Sequence, residues 1–141
     1  MAVVKANGYG HGMIEVARAA AAAGAHSVGV ARLEEALALR AAEVQIPILV
    51  LGGIPDGRWD EAVAADVQGA LWSQEQFQAA AHAARKQSRT ARVQLKIDTG
   101  MSRLGADPET AYELAASIAA ADGVVLEGVF THFARADEPD P

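Results

Sequence analysis

Ile48-Leu49-Val50-Leu51-Gly52-Gly53 is an aliphatic run without polar alternation that stops at two glycines. A strand with one wet face alternates apolar and polar residues. An unbroken run reads instead as a strand covered on both faces, which is the condition of a parallel sheet clad in helices. Similar apolar runs recur near residues 2–5, 27–30, 68–72, 92–97 and 124–130, with helical stretches between them. The chain therefore reads as alternating β and α, and such units join through right-handed crossovers into a parallel sheet. The helices carry their own punctuation. Ser73 with Gln76 forms a capping box, Asp107 before Pro108 offers an N-cap with proline at the first helical position, and Gly24 ends the first alanine-rich helix.

Composition narrows the class. The 141 residues are 51% hydrophobic with few aromatics and no cysteine, which favours helices packed on aliphatic strands without disulfides or thiolate metal sites. A net charge of −6 with no basic patch argues against nucleic acid or an anionic membrane as partner. Neither a leader nor an apolar run of about 20 residues is present, so a cytoplasmic protein acting on a small molecule is expected. The histidines are widely spaced with no carboxylate at ligand intervals, and no metal is expected.

Six strand-helix units fall short of an eight-stranded barrel, which takes about 250 residues. On pattern alone, an open doubly wound sheet fits as well as a barrel.

Lys5 ends the apolar run Ala2-Val3-Val4 and opens a glycine-rich loop, AVVKANGYGHG at 2–12. A lysine amine in a dry mouth loses proton affinity, and the neutral amine attacks aldehydes. A strand-end lysine that merely snorkels into water is the alternative. This word, with KIDTGMSRLG at 96–105 and GVFTHFARADE at 128–138, resembles the amino-terminal barrel domain of alanine racemase, and the resemblance spans essentially the whole chain.

The resemblance implies an α/β fold, a partial TIM (β/α)8 barrel not closed within this chain. Residues 1–141 would form one incomplete domain, with the remaining strands and a carboxyl-terminal β domain absent. An incomplete barrel exposes strand edges, so poor solubility is expected of it. The implied activity is pyridoxal 5'-phosphate-dependent racemisation of L-alanine and D-alanine, supplying D-alanine for peptidoglycan. Lys5 would be the catalytic Schiff-base lysine, and Tyr9 a donor to the cofactor phosphate. Leu51 would form an apolar wall, Arg103 would contact the cofactor's phenolic oxygen and the substrate carboxylate, and His132 would lie against the cofactor ring. Lys96 would orient Arg103 and is carbamylated in some members of the family. Taken without the family, Lys96, Asp98 and Arg103 read as an ordinary ion-pair cluster. Asp98 is assigned a structural role and His11 a loop-shaping one, while His26 and His82 receive none.

Racemisation needs an acid–base group on each face of the carbanion. The resemblance places the second, a tyrosine, in the partner subunit of a homodimer, and Tyr112 is poorly placed to replace it. The chain alone is thus expected to be inactive. Two alternatives stay open: a racemase of another small amino acid such as serine, and a noncatalytic pyridoxal-phosphate-binding barrel.

Overall fold

The computed structural model describes residues 1–138, so residues 139–141, the end of the expected 1–141 domain, lie outside the description. Six strands form one sheet: β1 (Ala2–Val3), β2 (Val28–Val30), β3 (Ile48–Val50), β4 (Gln68–Leu71), β5 (Ala91–Ile97) and β6 (Val124–Thr131). Their spatial order is their chain order, and every neighbouring pair is parallel. That order overturns the doubly wound alternative, in which strand order reverses at a switch point. The sheet is an open arc of a barrel, and among the described residues no strand closes it. Helices α2 (Met13–Ala22), α3 (Leu33–Ala41), α4 (Trp59–Ala64), α5 (Gln74–Gln87) and α6 (Pro108–Ala119) fill the crossovers. None is long and apolar enough to cross a membrane.

The punctuation works much as its chemistry demands. Ser73 Oγ accepts from Gln76 N at 3.3 Å, while Gln76 Oε1 reaches one residue further back, to Trp72 N at 2.8 Å. Asp107 accepts from Glu109 N at 2.8 Å ahead of Pro108. Gly24 takes φ +88° just past α2.

Apolar side chains divide between two faces. Val28, Val30, Ile48, Val50, Val93 and Leu95 pack with Leu33, Ala36 and Leu39 of α3 and with the alanine face of α5. Each fully buried aliphatic contributes about 1.5–3 kcal/mol relative to exposure. Period-two alternation sends Gln94 and Lys96 to the other, concave face, where Gln94 donates to Gln68 at 2.9 Å. At the amino end of the strands, Arg40 ties two loops together by donating to the carbonyls of Val44, Ile46, Ala65 and Asp66. On the first and last strands, Val3, Val125 and Val129 are exposed, the apolar edge expected of an unclosed barrel.

Candidate active site

Strand β1 is shorter than its apolar run, ending at Val3, and Lys5 starts the next element. That element, α1 (Lys5–Tyr9), is one turn wound left-handed: φ is +51° at Ala6, +54° at Asn7, +62° at Gly8 and +54° at Tyr9. Left-handed backbone costs a residue with a Cβ about 1–2 kcal/mol, so the turn persists only because its surroundings hold it. Asn7 Oδ1 accepts from Met13 N at 3.0 Å, and Glu35 Oε1 accepts from Ala6 N at 2.8 Å.

The second word forms a loop folded back on the end of β5. Asp98 N donates to Ala106 O at 2.9 Å, and Ala106 N to Lys96 O at 2.8 Å. Gly105 makes this closure possible at φ +142°, since a Cβ there would lie 2.4 Å from Asp98 N. The ion-pair reading of Lys96, Asp98 and Arg103 is corrected. Asp98 Oδ1 accepts from Gly100 N at 2.9 Å and Ser102 N at 3.0 Å, and these amides hold its carboxyl below the usual carboxylate range. Lys96 is only 5% exposed and, among the described residues, forms no salt bridge. Burial pushes its ammonium below the ordinary lysine range, and the charge of Arg103 pushes the same way.

Lys5, Leu51, Lys96, Arg103 and His132 converge on one cavity of about 400 Å³, completed by Val3, Ala31, Gly52, Leu104, Phe130 and Thr131. It lies at the carboxyl ends of the strands, the functional face of a parallel barrel. Tyr9 stands outside this lining, 61% exposed, with its ring centroid 6.0 Å from Lys5 Nζ. His11 is exposed as well, and its amide donates to Gly8 O within the loop. Sequence reasoning overlooked Phe130, whose ring centroid lies 6.0 Å from Lys96 Nζ, and Thr131, whose hydroxyl lies 2.7 Å from that of Thr99. Both fall in words already singled out, and Phe130 stands opposite Lys96 in the pairing of β5 with β6. Glu35 was overlooked too, and its position in the first turn of α3 was the only hint. Among the described residues no cluster suited to a metal occurs.

An open parallel (β/α) arc of a barrel, with a lysine just past its first strand and a cationic, partly apolar mouth at the carboxyl ends of its strands, defines the class of domain. The chain belongs to the family described as alanine racemase, N-terminal domain, whose pattern it matches over residues 1–141. It is 48% identical over 139 residues to the alanine racemase of Symbiobacterium thermophilum, covering 99% of this chain and 37% of that protein. The alanine racemase of Clostridium difficile, solved in complex with cycloserine, superposes with TM-score 0.94 at 36% identity, over 97% of this chain and 38% of that one. A histidine racemase from Leuconostoc mesenteroides superposes with TM-score 0.89 at 36% identity, over 100% of this chain and 38% of that one. The chain thus spans little more than a third of the relatives it matches.

Proposed function

We propose that this chain supplies the cofactor-holding face of a pyridoxal 5'-phosphate-dependent racemase that interconverts L- and D-alanine. The observation that carries the reading is the meeting of Lys5, Leu51, Lys96, Arg103 and His132 at one mouth, in a chain with this family membership. The donor set suits the group: an amine for its aldehyde, cationic side chains for its anionic oxygens, and aliphatic and aromatic walls for its ring.

When bound, the cofactor supplies an electron sink that makes the substrate Cα acidic. The protein's part is to bind, orient and move protons. Lys5 would hold the cofactor's aldehyde through its Nζ and would carry a proton to or from the substrate Cα on its own face. Arg103 would hold the substrate carboxylate and the phenolic oxygen, His132 and Leu51 would confine the ring, and Tyr9 would donate to the phosphate. Lys96 orients Arg103. In its neutral form, favoured by burial, its amine is able to add carbon dioxide with release of a proton, and the resulting anion would pair with the guanidinium. The second acid–base group comes from a partner subunit of a homodimer. Tyr112, 81% exposed on α6, is not at the mouth, so residues 1–141 alone do not racemise alanine. The complete enzyme works in the cytoplasm and supplies D-alanine for peptidoglycan.

A second reading keeps the chemistry and changes the substrate, favoured by the histidine racemase on which this part-barrel superposes. Rates on alanine, serine and histidine with the complete protein decide between them. For the central assignment, the complete protein is incubated with pyridoxal phosphate, reduced with borohydride and digested. The label is expected on Lys5 and absent from Lys5→Ala, together with racemisation. A label elsewhere sinks the reading, and a label without exchange of the alanine Cα proton for deuterium leaves a binding protein.

A further inference from the structure

We infer that Glu35 is a positioning residue for Lys5, a role that rests on the Schiff-base reading above. The side chain sits in the first turn of α3, after β2, the strand that pairs with β1. One carboxylate oxygen, Oε2, accepts from Ala31 N at 2.8 Å and Arg32 N at 3.1 Å, the backward reach that caps its own helix. The other, Oε1, crosses to the neighbouring loop and accepts from Ala6 N at 2.8 Å. That N–H belongs to the peptide unit whose carbonyl is Lys5's own. Holding it fixes the plane of the peptide leaving Lys5, and so the direction in which the Lys5 side chain departs.

Ala6 opens the left-handed turn, where an amide has no acceptor within its own helix. Its φ of +51° is a conformation that alanine adopts only under constraint. Glu35 is an external constraint reaching this amide, and it ties the turn to the start of α3. The charge state matters as well as the shape. Three N–H groups converge on the side chain, and a carboxylate offers acceptors to all of them, whereas a glutamine offers one oxygen and turns an NH₂ toward a donor. Glu35→Gln should therefore restore part of what Glu35→Ala loses.

The test uses the complete protein and two readouts other than turnover: hydrogen exchange in the peptide spanning residues 2–12, and the rate at which borohydride-trapped pyridoxal phosphate appears on Lys5. Glu35→Ala is expected to exchange faster in that peptide and to trap at least about tenfold more slowly, because small misplacements of a reacting group carry penalties of this order. Glu35→Gln should fall between it and wild type. Ser73→Ala, which removes a cap from α5 outside the lining of the Lys5 cavity, should trap at the wild-type rate. Wild-type trapping or unchanged exchange in Glu35→Ala overturns the role, and so does equal slowing in Ser73→Ala, because loss of any cap would then suffice. Should Glu35→Ala not fold, Glu35→Gln carries the same decision: slowed trapping supports the role and wild-type trapping overturns it. A wild-type label away from Lys5 overturns the Schiff-base reading itself, before any variant is compared.

Discussion

Asp98 Oδ1 accepts the amide hydrogen of Ser102 at 3.0 Å, so the carboxylate organises the loop that carries Arg103. An acid five residues before an arginine has become a cap for backbone amides. Asp98→Ala should loosen residues 99–103, seen as faster amide exchange there and a raised KM for substrate. The pH dependence has a definite sign. The carboxyl is depressed in the fold, so its stabilisation is full above the unfolded value and is lost as pH falls through the lower folded one. Wild type and Asp98→Ala should therefore converge in stability well below about pH 3.9, the ordinary aspartate value.

Lys96 shows the opposite case. Its depressed value means that the unfolded chain holds more protons between that value and about 10.4, the ordinary lysine value, so its contribution makes stability rise with pH across that window. Lys96→Met should flatten this rise in denaturant titrations run from neutral to alkaline pH. At neutral pH the variant should be at least as stable as wild type, since it removes a poorly solvated charge.

Arg40 donates to the carbonyls of Val44, Ile46, Ala65 and Asp66, so Arg40→Ala should cost about 2–3 kcal/mol in chemical denaturation. Arg92, on the strand surface, pairs with Asp66 and Glu127 while partly exposed, and Arg92→Ala should cost about 1 kcal/mol or less.

Leu39 is fully buried between α3 and the sheet. Leu39→Ala leaves a cavity and should lower stability by about 2–5 kcal/mol without changing which lysine pyridoxal phosphate labels.

The parallel sheet was legible in Ile48-Leu49-Val50-Leu51 because burial on both faces writes itself into composition. Lys5 and His132 stand at the ends of apolar runs and Arg103 in the loop after one, but reading them as a site rested on the three words that resemble alanine racemase, because a strand-end lysine or histidine is by itself more often structural. Strand limits were less legible than the sheet: Val4 and Lys5 looked extended, yet the left-handed turn claims Lys5, a conformation that Ala6 and Asn7 do not announce. Asp98 looked like an ion-pair partner because charge spacing cannot say which backbone amides a folded loop will turn inward.

Local chemistry along the chain settled the alternation of strands and helices, their caps, and the side chains at the strand ends. Those depend on neighbours a few residues away. The arc of the sheet, the shared mouth of Lys5 and Lys96, and the reach of Glu35 to Ala6 depend on contacts between residues that are remote in the chain. Such contacts exist only once the strands have paired in register, and no stretch of residues read alone contains them.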